Sequence, residues 1–182
     1  MRAFIAIELS SEVRAALAAA VGALARCTAK VKWVEPDNVH LTLKFLGSID
    51  DGMAEQVKRA MADAAGRGGF GFVVEGLGRF PPRGKPRVVW AGVSEGAEAL
   101  KALQAVLEAV LRPLGFEKER DYVPHLTIGR VKRPQGAEAL VAALEPYAGT
   151  RFGACRASEM VLFQSELTPR GPVYTAVARQ AL

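Results

Sequence analysis

Apolar residues fall into short blocks along this chain, and their spacing alternates between the period of a strand and that of a helix. Phe4–Leu9 is a short apolar stretch that predicts a strand. Ser10 or Ser11 can then cap a helix carrying Val13, Leu17, Val21 and Leu24 at near-3.6 spacing. A Glu-Pro-Asp-Asn turn at Glu35–Asn38 precedes a strand that runs from His40 through Phe45 and Leu46. Asp50 or Asp51 caps the next helix, with Met53, Val57, Met61 and Ala64 on one face, and Gly66, Gly68 and Gly69 end it. Strands over Phe70–Leu77 and Arg87–Val93 follow. The plan then repeats: a helix with Leu100, Leu103, Leu107, Val110 and Leu114, a strand from His125, and a helix with Leu140, Val141, Leu144 and Tyr147. Strands near Arg156–Phe163 and Val173–Arg179 complete it.

Both halves therefore follow the order β-α-β-α-β, and an offset of 85 residues superimposes His40 on His125, Ile5 on Trp90 and Leu17 on Ala102. This pattern predicts an internal duplication, approximately 1–80 and 86–182. The segment Arg79–Arg87 has the character of a hairpin loop, and no Pro/Ser-rich linker divides the halves. The expectation is one α+β domain over 1–182, bilobal and pseudo-symmetric. Each lobe is an antiparallel sheet with helices, and a central cleft lies between the lobes.

The chain has 182 residues, half of them hydrophobic, which rules out a disordered tail protein. Its longest apolar run, Ala15–Ala25, is eleven residues, short of the roughly 20 needed to span a bilayer. The first residues do not form a secretory signal, and Cys27 and Cys155 form no close pair, so the expected home is the cytoplasm. The net charge of +5 suits an anionic substrate.

Candidate chemistry rests on the histidines. There are two, and each opens the same word: His40-Leu41-Thr42-Leu43 and His125-Leu126-Thr127-Ile128. Leu-Thr is an uncommon pair in a chain with 18 Leu and 6 Thr, so coincidence is the weaker account. Strand alternation puts His and Thr on one face and the two aliphatic residues on the other. An imidazole and a hydroxyl side by side can grip two oxygens of a tetrahedral anion, and two such pairs could enclose it. A neutral imidazole is a general base and an imidazolium a general acid, and an ordinary His pKa near 6.5 allows both forms near neutrality. Thr42 and Thr127 would hydrogen-bond the non-bridging oxygens, where charge accumulates. A metal site is disfavoured: each word supplies one strong ligand and no third His exists, though Asp121, four residues before His125, could be recruited.

The expected substrate grip is less direct. By parity Lys44 shares the His40 and Thr42 face, whereas Arg130 lies on the face opposite His125 and must reach the cleft from a strand end or a bend. Phe4 and Trp33 are candidates for stacking on a base. The loop Arg79–Arg87 carries four basic residues and Phe80, a combination that can touch RNA backbone and a base.

With these residues in view, the chain resembles the bacterial and archaeal RNA 2′,3′-cyclic phosphodiesterase family, also called the 2′-5′ RNA ligase family, in the two-histidine (2H) phosphoesterase superfamily. The two His-x-Thr-x words carry the likeness. So do Arg2–Ile7, Lys32-Trp33-Val34 and Asn38-Val39 ahead of the first word, and Lys44-Phe45-Leu46-Gly47 after it. Tyr122-Val123-Pro124 and Gly129-Arg130 fit around the second. The resemblance implies a metal-independent enzyme with no cofactor that hydrolyses a terminal RNA 2′,3′-cyclic phosphate to a 2′-phosphate. It makes His40 the proton donor and His125 the proton acceptor. Implied substrates are RNA ends, tRNA fragments among them, or small cyclic nucleotides, handled by a monomer away from any membrane. The alternatives are reversible 2′-5′ ligation by the same groups and RNA binding without catalysis.

Overall fold

The side chain of Ser10 accepts the amide of Val13 at 3.3 Å, and that of Asp50 accepts the amide of Met53 at 2.7 Å. Of the paired capping candidates, these two occupy the N-cap positions and start α1 (Ser11–Leu24) and α2 (Asp51–Ala64). The computed structural model describes every residue except 28, 134 and 170. Strands β1 (Arg2–Ile7), β2 (Val31–Trp33), β3 (Leu41–Ser48) and β4 (Phe70–Phe80) belong to the first half of the chain. The second half holds β5 (Val88–Val93), α3 (Ala97–Leu111), β6 (His125–Val131), α4 (Ala137–Leu144), β7 (Arg151–Ala157), β8 (Glu159–Thr168) and β9 (Gly171–Ala181). No helix among the described residues is long and apolar enough to cross a membrane.

The strands form two antiparallel sheets, ordered β3-β1-β8-β9 and β2-β6-β5-β4-β7. The offset of 85 residues equates β3 with β6, β1 with β5 and β8 with β4. Each sheet therefore has the order His-Thr strand, opening strand of the same half, then a strand from the other half. The lobes are pseudo-symmetric but interlocked: β4 has crossed into the second lobe and β8 into the first.

One element differs from expectation. The apolar segment near Arg156–Phe163 predicts a single strand, yet the chain breaks at Ser158 into β7, paired with β4, and β8, paired with β1. No glycine or proline marks the break. Met160 and Leu162 pack into the main core on one face of β8 and Val161 and Phe163 into a second apolar cluster on the other, so the pattern is a continuous apolar run rather than an alternation.

A single large core joins the inner faces of both sheets to the helices, including Ile5, Leu17, Leu41, Val57, Leu107, Leu126 and Leu162. The other face of the first sheet carries a smaller cluster of Phe4, Ala6, Val161 and Phe163, with Tyr174 packed on it. That second cluster lies beneath the cleft.

Candidate active site

The cleft has a volume of about 890 Å³, and its walls include all four residues of the His-Thr pairs: His40, Thr42, His125 and Thr127. The two imidazoles are held alike. His40 Nδ1 lies 2.7 Å from the Asn38 carbonyl oxygen, and His125 Nδ1 lies 2.7 Å from that of Val123. A carbonyl can only accept, so Nδ1 carries the hydrogen in both rings and Nε2 is the nitrogen left for the cleft. Each carbonyl lies two residues ahead of its histidine, in the segment that enters the strand.

The surroundings of the two rings differ. His40 stacks on Phe4 with centroids 4.6 Å apart and meets Tyr174 edge-on at 5.2 Å. Burial in this aromatic seat, with a smaller push from the Arg14 charge and against the bond to Asn38, lowers the His40 pKa to about 4. Among the described residues, His125 has one aromatic neighbour, Phe80, edge-on at 5.3 Å.

Beyond each threonine the strand contains a β-bulge. On β3, Ala6 pairs with Thr42 but Ile5 with Lys44, leaving Leu43 over; on β6, Trp90 pairs with Thr127 but Val89 with Gly129, leaving Ile128 over. Two consecutive residues then point inward, Leu43-Lys44 and Ile128-Gly129, and alternation beyond them is reversed. The equivalent residues Phe45 and Arg130 consequently emerge on the cleft side, and both line the cleft.

These bulges correct the expectation for Lys44. It does not sit on the His40 face: it is 5% exposed and turned toward α3, with Nζ 2.8 Å from Glu108 Oε1 and donating to the Glu117 carbonyl. Glu108 also accepts from Gln104 Nε2 at 2.9 Å and from the Glu119 amide at 3.1 Å. Lys44 is thus part of a buried tether holding the segment that leads to the second motif. For Arg130 the bulge is the bend that parity demanded. Gly129 is required beneath it, since a Cβ there would lie 2.8 Å from both Trp33 and Val31.

Phe4 is corrected as well. At 3% exposure it is the floor under His40, not a free surface for a base. Trp33 and Phe80 do line the cleft. Within the basic loop, Arg79 folds back to donate to the carbonyls of Pro81 and Gly84, and Arg83, Lys85 and Arg87 do not line the cleft. Asp121 lines the cleft but joins no metal-ligand set: among the described residues, no cluster of three or more His, Cys, Asp or Glu could hold a metal ion.

A model of the LigT-like phosphoesterase family matches residues 7–90 and again 92–174. The chain belongs to that family. An RNA 2′,3′-cyclic phosphodiesterase of Methanothermobacter thermautotrophicus is 40% identical over 176 residues, covering 96% of this chain and 95% of the relative. Among solved structures, a Thermus thermophilus protein superimposes with a TM-score of 0.83 at 32% identity over 100% of this chain and 98% of its own. The E. coli LigT complexed with 3′-AMP gives 0.81 at 26% identity, covering 100% and 97%.

Within this LigT-like phosphoesterase, several further cleft residues are given no site role by the sequence pattern. Phe45 is 61% exposed, and Val123, Leu167 and Val173, the other large exposed hydrophobics, also line the cleft. Tyr174 reaches His40 from β9; burial raises its hydroxyl pKa against the opposing charges of Arg130 and Arg2. Tyr122 donates to the Thr42 carbonyl at 3.0 Å. Leu167, Val173 and Tyr174 come to the motifs only through the pairing of β8 and β9 with the first sheet, whereas Phe45, Tyr122 and Val123 adjoin the motifs in the chain. The signals that could have found them are the match of Phe45 to Arg130 under the 85-residue offset and the place of Tyr122 and Val123 in the family-like segment before the second motif.

Proposed function

We propose that this chain hydrolyses the 2′,3′-cyclic phosphate at an RNA terminus to a 2′-phosphomonoester, using His40 and His125 as the acid–base pair. The observation that carries the reading is the matched pair of imidazoles, each fixed through Nδ1 to a backbone carbonyl and each leaving Nε2 for one shared cleft. The names of the curated relatives support the substrate class. His125 Nε2 takes a proton from a water that attacks phosphorus. The bond from phosphorus to the ribose 3′ oxygen breaks, and that oxygen takes the proton of His40 Nε2. Thr42 and Thr127 donate to the non-bridging oxygens, and Arg130 supplies positive charge where negative charge accumulates.

A His40 whose pKa is lowered to about 4 is neutral in the empty cleft near pH 7, whereas a donor must be protonated. The substrate supplies the remedy. A phosphodiester anion against Nε2 stabilises the imidazolium, so binding charges His40. Phe45, exposed beside the first motif, offers a face for the terminal base. Both motifs come from one chain, which supports a monomer as the working unit. The two unpaired cysteines accord with a reducing, cytoplasmic setting. The two stretches matched by the family model support a duplication within one two-lobed domain.

The test is incubation with an RNA ending in a 2′,3′-cyclic phosphate in the presence of EDTA. The expected product is the 2′-phosphate. No turnover, a 3′-phosphate, or joining to an added 5′-hydroxyl RNA in place of hydrolysis would overturn the reading.

A further inference from the structure

The short strand β2 pairs with the far end of β6 so that Lys32 lies opposite Arg130, and the next rung joins the Lys132 amide to the Lys30 carbonyl at 2.8 Å. All four side chains are exposed, while Val31 and Val131, between the rungs, pack against the core. Four cations therefore stand in two cross-strand pairs on one face. None of them enters an ion pair among the described residues. Like charges directly opposite one another destabilise a sheet. Charge that weakens the fold and is relieved by no acid is arranged for an anion outside the protein.

The position of this ladder says which anion. Lys32, Arg130 and Lys132 line the same cleft as the histidines, and β6 runs from His125 to them. At about 3.3 Å per residue, the Lys32–Arg130 rung begins about 16 Å along the strand from His125, near enough for the long Arg130 side chain to reach back toward the His-Thr pairs. The Lys30–Lys132 rung lies about 23 Å away, beyond the reach of a single nucleotide held there. A cyclic phosphate occupies the 3′ end of an RNA, so every other phosphate of that RNA leaves the cleft in one direction.

We propose that the β2–β6 cation ladder of Lys30, Lys32, Arg130 and Lys132 is the track for the RNA backbone leading to the reacting terminus, making single-stranded RNA rather than a cyclic mononucleotide the preferred substrate. The inference rests on the cleft being an RNA-terminus site. Arg130 belongs to both parts, gripping the reacting phosphate and beginning the track. The track is sequence-independent, because cations meet phosphates and not base edges.

Equilibrium binding tests it with two probes, a ten-nucleotide RNA ending in a 2′-phosphate and adenosine 2′-phosphate, each across a salt series. The parent binds the ten-mer at least tenfold tighter at 50 mM salt, and the gap narrows as salt rises. The double variant Lys30→Glu, Lys132→Glu loses most of that gap, lowers the slope of log affinity against log salt by about 1.4, and binds the mononucleotide within twofold of the parent. Equal affinity of the parent for both probes, or a gap that survives in the variant, overturns the track. Should the charge reversals fail to fold, Lys30→Gln with Lys132→Gln serves the same purpose. A variant that self-associates while keeping its RNA affinity assigns the lysines to guarding an edge strand instead. Failure of the hydrolysis reading is separate: no cyclic phosphate of any length is turned over, whatever the ten-mer binding shows.

Discussion

The hydroxyl of Tyr122 donates to the backbone carbonyl of Thr42 at 3.0 Å, joining the segment that enters the second motif to the strand that carries the first. Because the two motifs lie in different sheets, this bond is a direct strut between the two halves of the site. Tyr122→Phe removes it without opening a cavity. We expect a loss of about 1 kcal/mol in stability and a several-fold drop in kcat, measured by denaturant unfolding and steady-state turnover. Unchanged kcat would show that the motifs hold their geometry without the strut.

Since there are only two histidines, imidazole NMR resolves each one. His40 should titrate near pH 4 in the free protein and move upward by a unit or more when adenosine 2′-phosphate binds. The stability consequence has a definite sign. A folded-state pKa below the unfolded value of 6.5 means the unfolded chain binds the proton first. The contribution is therefore intact above pH 6.5 and lost between 6.5 and about 4. Comparing parent with His40→Asn in phosphate-free buffer, the parent should lose about 2 to 3 kcal/mol more across that window.

The Lys44–Glu108 pair is buried, so removing one member strands the other. Lys44→Met or Glu108→Gln should each cost about 3 kcal/mol, and Lys44→Met combined with Glu108→Leu should recover much of it. Activity should not recover with stability. The double variant still lacks the anchors for the Glu117 carbonyl and the Glu119 amide, so KM for a cyclic-phosphate RNA stays raised. Recovery of both together would make the pair purely structural.

Gly129→Ala tests the second bulge. Its Cβ would press on Trp33 and Val31, displacing β2 or flattening the bulge that aims Arg130. A loss of about 1 to 3 kcal/mol is expected, with kcat/KM falling toward that of Arg130→Gln. A stable protein with full activity would count against the bulge as the aiming device.

The motifs were legible because histidine and threonine share a strand face and recur once per half. Strand alternation alone puts Lys44 on the wrong face and leaves Arg130 opposite the cleft for a single reason: it carries no knowledge of a bulge, and no glycine marks the one at Leu43. The aromatic seat of His40 was equally hidden, since Phe4, Phe163 and Tyr174 come from strands far apart in sequence and become neighbours only when β1, β8 and β9 pair. Periodicity located the helices well because each buries one face against a common core.

The exchange of β4 and β8 bears on how the site could come apart. A cut in the exposed loop between β4 and β5 would leave one piece with β1 to β4 and the other with β5 to β9, and neither piece would own a complete sheet. Each would present unpaired strand edges that only the other can fill, so the nicked protein should stay assembled and keep its two histidines in register. What joins the lobes is a weave rather than a tether, and the distance between acid and base is set by backbone ladders that cross from one half of the chain to the other.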